Sequence, residues 1–179
     1  MNASPPGSVW QERFTLRSFE ARADGKASLP ALCNFLQEPA GNHAYRHDLA
    51  PDQLLRRRRT WGLSRLWLHI RRRPAWRERI RLLTWPSHYN RLFAFRDFLL
   101  LDAHDRTVTA ASSAWVLLDL DRGRPLRPDR ELAHFPPAER PYALEEGLPR
   151  ERQQAPEHAP TVPLLRVHPL HLDVNAHVN

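Results

Sequence analysis

Cysteine, lysine and long apolar runs are what this 179-residue chain has least of. Its single cysteine, Cys33, excludes an internal disulfide and any zinc site built from cysteines, and it suits a reducing compartment. No apolar stretch approaches the ~20 residues that a membrane span requires, and residues 1–15 hold no basic segment leading into an apolar one. The expectation is a soluble, untargeted, cytoplasmic protein with no membrane partner. Two independent enzyme domains do not fit in this length, whereas one medium domain with a tail does. Lysine is confined to Lys26, so arginine supplies 26 of the 27 basic side chains, set against 20 acidic ones.

The net charge of +7 is unevenly placed. Residues 56–81 contain 11 arginines and one acid, Glu78, so this stripe carries +10 and the rest of the chain −3. Arginines interleaved with Trp61, Trp67, Trp76 and Trp85 make one reading a single-strand nucleic-acid binder. Most of these tryptophans fall in or beside alternating apolar runs, however, where burial is the simpler reading.

Phe14 to Ala23 reads as a short strand, closed by the turn signal Asp24-Gly25-Lys26. Ser28 then stands where an N-cap belongs, ahead of Leu29 and Pro30. Leu29, Leu32, Cys33, Leu36, Ala40 and Ala44 recur at helical spacing, and Pro39 predicts a kink or an early end to that helix. Period two takes over beyond the loop at Asp48 to Asp52. Leu66, Leu68 and Ile70 alternate with Trp67 and His69, Ile80 and Leu82 repeat the pattern, and Arg91–Leu101 and Thr107–Leu120 form two longer strands joined through 102–106. Consecutive strands with short turns and one strong helix predict an α+β domain, a helix against a curled antiparallel sheet. Ten of the 17 prolines lie from Pro125 to Pro169, where apolar residues thin out, so this stretch reads as an extended linker over the surface. Val162 to Leu172 turns apolar again and begins a new strand.

The last seven residues, Asp173-Val-Asn-Ala-His-Val-Asn, concentrate chemistry. In an extended segment Asp173, Asn175 and His177 share one side, where a carboxylate, an amide and an imidazole orient a water, position a carbonyl and move a proton. The bland reading is a polar turn at a terminus. A metal site from His168, His171, Asp173 and His177 is a weaker rival, because Pro169 restricts the chain.

That closing segment resembles the signature of acyl-acyl carrier protein thioesterases, where a strand leads into Asp-x-Asn-x-His-Val-Asn at the start of a central helix. Further motifs follow in family order: residues 14–44, with Asn42-His43-Ala44; Trp61-Gly-Leu-Ser-Arg-Leu; Trp85-Pro-Ser; Arg91-Leu-Phe-Ala-Phe-Arg-Asp-Phe; and Ala111-Ser-Ser-Ala-Trp-Val-Leu-Leu-Asp. The resemblance covers 14–128 and 164–179. It implies tandem hot-dog domains, each an antiparallel sheet wrapped around a helix. The layout expected is a flexible start at 1–13, an N-terminal hot dog at 14–128, a Pro-rich linker at 129–163, and at 164–179 the first strand of a second, incomplete hot dog.

The implied reaction is hydrolysis of fatty acyl-acyl carrier protein to free fatty acid, ending chain elongation, with no cofactor and no metal. Asp173, Asn175 and His177 become the catalytic candidates; His177 and Asn175 position the thioester and the attacking group, and Asp173 serves as orienter, base or nucleophile. The 179-residue chain itself is expected to turn over acyl thioesters poorly, and a non-catalytic acyl-binding module is the alternative. Leu32, Leu36 and Trp61 are expected either to line the acyl pocket or to pack a core. Arg56, Arg57, Arg58 and Arg59 either attract the acidic carrier protein or form a solvated face. Nucleic acid is not an expected partner; a homodimer is left open.

Overall fold

Ser28 starts the one long helix: its Oγ accepts the Ala31 N–H at 3.2 Å, and Pro30 occupies a first-turn position that needs no donor. The computed structural model describes residues 8–144 and 166–169. The first stretch lies within one compact unit, Met1–Pro149, and Arg166–Pro169, all exposed, lies within a second. Elements run β1 (Trp10–Thr15), α1 (Leu29–Tyr45), α2 (Pro51–Leu55), β2 (Arg59–Ile70), β3 (Arg79–Tyr89), β4 (Ala94–Leu101), β5 (Thr107–Asp119), β6 (Arg124–Pro125) and α3 (Pro128–Glu131).

Every pairing is antiparallel, in the order β1-β3-β4-β5-β2, with β6 added to β5. One helix lies against this sheet, the expected α+β arrangement. Its buried face, Ala31, Leu32, Phe35, Leu36, Pro39, Ala40 and His43, follows the helical repeat, and Ala31, Leu32, Phe35, Leu36 and Ala40 pack with Ile80, Leu82, Phe98, Leu100 and Ala111. Leu66, Leu68 and Ile70 join that core from β2, as their alternation requires. A second apolar cluster, at the other end of α1, holds Leu49, Leu54, Ala94, Leu117, Leu132 and Phe135.

Three sequence expectations need correction. The first strand is Trp10–Thr15, not Phe14–Ala23, because β3 begins at Arg79, opposite Thr15, and no strand continues the ladder beyond it. Residues past Thr15 turn instead through a 3-10 turn at Ser18–Glu20. Pro39 neither ends nor interrupts α1, which continues to Tyr45; the ring lies on the buried face, so packing offsets the lost hydrogen bond. β4 starts at Ala94 rather than Arg91, since Asn90 Oδ1 accepts the Leu92 and Phe93 amides at 2.9 and 2.7 Å and makes that stretch a turn.

The start of the expected linker follows the domain closely as far as residue 144. Leu132, Phe135, Ala138 and Leu144 are buried, while Ala133 and Tyr142 stay exposed, and Tyr89 Oη donates to Phe135 O at 2.8 Å. Pro86, which cannot donate within β3, lies beyond the end of β1 and next to a bulge, and its carbonyl accepts the Ala138 N–H at 2.8 Å.

Candidate functional site

Asp173, Asn175 and His177 lie outside the described residues, as does His171; His168 is described and exposed. Within the described domain, the polar chemistry gathers where α1 ends. His43 continues the buried face of Leu36 and Ala40, and β4 alternates Leu100, Phe98, Arg96 and Ala94 towards the same interior. The alternation that seats Phe98 and Leu100 under the helix therefore delivers a guanidinium there too. Arg96 Nη1 donates to Thr84 Oγ1 at 3.2 Å and lies 3.3 Å from His43 Nδ1.

Among the described residues no carboxylate pairs with Arg96. Burial pulls its pKa down to about 10, opposed in part by the nearby Tyr89 phenol, so it remains a cation at neutral pH. His43 lies in the last turn of α1, which brings this cation to the negative end of the helix dipole. Rings enclose the group: Trp10 stacks on His43 at 5.6 Å, Phe135 meets it edge-on at 4.9 Å, and His47 stacks on Phe135 at 4.0 Å. Burial, then the charges of His134 and Arg96, hold His47 below the ordinary imidazole range and favour its neutral form. Burial pushes the Tyr89 phenol up, so it stays protonated and free to donate to Phe135 O. A fixed cation enclosed by aromatic and imidazole rings can polarise a carbonyl or hold an anion.

Asp97, the next residue, points to the opposite face of β4. Ser112 Oγ donates to its Oδ1 at 2.6 Å and the Ala143 N–H to its Oδ2 at 3.0 Å, yet burial still pushes its pKa above the ordinary carboxylate value. Its cross-strand neighbour Trp85 is fully buried, with the Arg140 guanidinium 4.6 Å from the ring centroid. Residues 138–144 are thereby strapped over the outer face of the sheet. Sequence reasoning missed both centres. The available signal was the charged pair Arg96-Asp97 inside an otherwise apolar strand.

Leu32 and Leu36 are fully buried in the helix–sheet core, and Trp61 is half-buried beside the second cluster, its Nε1 donating to Leu49 O at 2.9 Å. Three of the four clustered arginines are engaged. Arg57 Nη2 donates to Asp48 O at 2.8 Å, Arg58 pairs with Asp121 at 2.9 Å and Arg59 with Glu131 at 2.8 Å, while exposed Arg56 stands 3.9 Å from Asp52. Burial holds for Trp61 and Trp85 but not for Trp67 and Trp76, which are largely exposed. Cys33 is half-buried, and burial raises its thiol pKa.

Comparison with known proteins assigns this architecture. The solved 12:0-ACP thioesterase from Umbellularia californica superposes with a TM-score of 0.79 at 24% identity, over 96% of this chain and 70% of that one, which establishes the hot-dog fold. The palmitoyl-acyl carrier protein thioesterase of Arabidopsis thaliana is 31% identical over 120 residues, 63% of this chain and 29% of its own length. The oleoyl-acyl carrier protein thioesterase 1 of the same plant is 27% identical over 188 residues, 97% of this chain and 52% of its own length. The chain thus spans about half or less of the curated relatives it matches. Both are named as chloroplast proteins, so the cytoplasmic expectation gains nothing from them. No helix among the described residues is long and apolar enough to cross a membrane. The model of the acyl-ACP thioesterase N-terminal domain matches residues 7–134, well over half the chain, and the protein belongs to the acyl-ACP thioesterase family.

Proposed function

We propose that the protein serves the hydrolysis of fatty acyl-acyl carrier protein. The family match over residues 7–134 carries this reading. Water adds to the thioester carbonyl, the carbon–sulfur bond breaks, and the products are a free fatty acid and the carrier's thiol. Asp173, Asn175 and His177 supply the chemistry: Asn175 and His177 position the thioester and the attacking group, and Asp173 orients or activates it. The layout that goes with this function is an N-terminal hot dog at 14–128, which β1 extends back to Trp10 and the packed Leu132 and Phe135 extend forward, then a linker within 129–163 and the opening of a second hot dog at 164–179. Leu32, Leu36 and Trp61 shape the acyl site, which requires α1 and the sheet to part around the two leucines, since both are closed off by packing. Arg56 to Arg59 attract the acidic carrier, with Arg56 the most available of the four.

A second reading, a non-catalytic acyl-binding module, is favoured by one observation. Ahead of α1 the chain offers Asp24 and Ser28 but no counterpart of Asn175 or His177. Both readings are tested by mixing the chain with acyl-acyl carrier protein and following binding and fatty acid release separately. Release, expected to be slow in this chain, that falls about 100-fold or more in His177→Ala supports hydrolysis. Binding without release assigns the acyl-binding module, and neither binding nor release overturns the proposal.

A further inference from the structure

Three large apolar side chains stand out at the end of the domain where α1 begins: Phe19 is 76% exposed, Leu29 55% and Trp76 49%. Backbone bonds knit their loops together. The Ser28 N–H donates to Glu20 O at 2.9 Å, the Trp76 N–H to Gly25 O at 2.8 Å and the Arg77 N–H to Leu16 O at 3.0 Å, and Lys26 bridges to Ala75. Gly25 holds a φ of +72°, a conformation that a side chain would strain, so the turn that joins these loops depends on glycine. Each aromatic ring carries a cation: Arg17 lies 4.7 Å from the Phe19 centroid and Arg77 4.4 Å from that of Trp76.

The surroundings are basic. Glu20, Asp24, Glu78 and Asp102 already hold Arg17, Arg73, Arg72 and Arg106, whereas Arg22, Lys26, Arg71, Arg77 and Arg79 have no ion pair among the described residues. The β1–β3 ladder leads from these loops into a cleft of about 590 Å³ whose walls include Arg13, Thr15, Arg79 and Arg81, with Asp102 and Asp105, whose carboxylates pair with Arg72, Arg106 and Arg81. There Arg13 stands directly opposite Arg81 across the two strands, an arrangement of like charges that an anion between them relieves. Asp105 takes Arg81, and Arg13 has no ion pair among the described residues.

Projecting rings beside unpaired cations are the side-chain set that seats a protein in the headgroup layer of an anionic bilayer, where apolar groups enter and cations meet phosphates. A protein partner would instead be anchored by apolar groups seated in pockets, whereas the concavity beside these tips is lined by Arg13, Arg79 and Arg81 with Asp102 and Asp105, a charged cleft. We propose that this end of the domain docks on an anionic phospholipid surface, with Phe19, Leu29 and Trp76 entering the headgroup layer and Arg13 and Arg79 taking lipid phosphate in the cleft. The lack of a spanning helix bears on crossing a membrane and not on resting against one.

The test is co-sedimentation of the full chain with phosphatidylglycerol and phosphatidylcholine vesicles, combined with quenching of tryptophan fluorescence by brominated lipid. The chain is expected to bind phosphatidylglycerol vesicles far better than phosphatidylcholine ones, and less as salt rises. Phe19→Ser with Trp76→Ser should weaken binding about ten-fold or more. Arg22→Gln with Lys26→Gln should weaken it about five-fold per charge removed. Trp76→Phe should bind but lose quenching. All these positions are on the surface, so unchanged thermal melts certify that the variants fold. The proposal is overturned if phosphatidylglycerol vesicles fail to bind at low salt, or if both double variants bind as the parent does. It is equally overturned if the same variants lose an acidic carrier protein or an oligonucleotide while vesicles never bound. Acyl-carrier binding and hydrolysis measured without vesicles report separately on the proposed function.

Discussion

Arg96 and Asp97 are neighbours in sequence, opposite in charge and both buried, yet the sheet keeps them from pairing because consecutive side chains leave a strand on opposite faces. Arg96 is held by a hydroxyl and an imidazole, Asp97 by a hydroxyl and a backbone amide. Asp97 therefore gives a titration signature. Its folded-state pKa lies above the unfolded one, so the native protein keeps a proton where the unfolded chain has lost it, and the contribution of this residue to stability falls as pH rises. The fall begins near the unfolded carboxylate value of about 4 and is complete above the raised native value. Asp97→Asn removes that dependence. Denaturant melts of both proteins from acid to neutral pH should show the parent losing ground steadily to the variant across that window; a difference independent of pH would sink the assignment. Asp102 has the opposite sense. Burial pushes its pKa up, but the Arg106 and His104 amides and the Arg106 and Arg72 side chains more than offset this and hold it well below the ordinary value.

Among the elements, α1 shows how far packing overrides propensity. Proline inside a helix costs about 3 kcal/mol, from a lost hydrogen bond and a clash with the preceding turn. Here the ring is on the buried face of a helix whose neighbours on that face form the main core. Pro39→Ala restores the amide but removes buried carbons, at ~0.8 kcal/mol each, and loosens the unfolded chain by up to about 1 kcal/mol. The expected change is within about 1 kcal/mol of zero, far from the 3 kcal/mol gain that propensity alone would give, as read from a urea midpoint. Helical spacing from Leu29 and the alternation through Leu66, Leu68 and Ile70 made α1 and β2 legible in the sequence, and the turn at 102–106 placed β4 and β5. The start of β1 was not legible, because a strand ends where its partner does, and that partner lies about 65 residues away in the chain. The strap at 138–144 was hidden for a related reason: a few buried residues among prolines leave no period to read.

For the whole molecule, the arginine stripe is the feature that folding changed most. In the sequence, residues 56–81 are a block of +10; in the structure, Arg58, Arg59, Arg72, Arg73 and Arg81 pair with Asp121, Glu131, Asp102, Asp24 and Asp105, all from outside that block. The stripe is spread over both ends of the sheet, and about half of it meets its own counter-charges. Binding to random single-stranded oligonucleotides should accordingly be weaker than about 10⁻⁴ M at physiological salt, below the usual range for nonspecific nucleic-acid binders. A fluorescence-anisotropy titration that saturated at micromolar protein would contradict this.

Composition and periodicity by themselves determined the class of the described domain and, among the described residues, its main strands and its one long helix, because each of those follows from residues close together in the chain. The run of motifs from Phe14 to Ala111 pointed to its family on the same local basis. Only the tertiary structure decided which charges stand alone. Arg96 enters the core, Asp97 holds the strap, and Phe19 and Trp76 stay exposed while Trp85 is sealed. Those outcomes depend on which distant strand or loop arrives beside each side chain; a local pattern such as the charged pair Arg96-Asp97 in an apolar strand marks the place but not the partner.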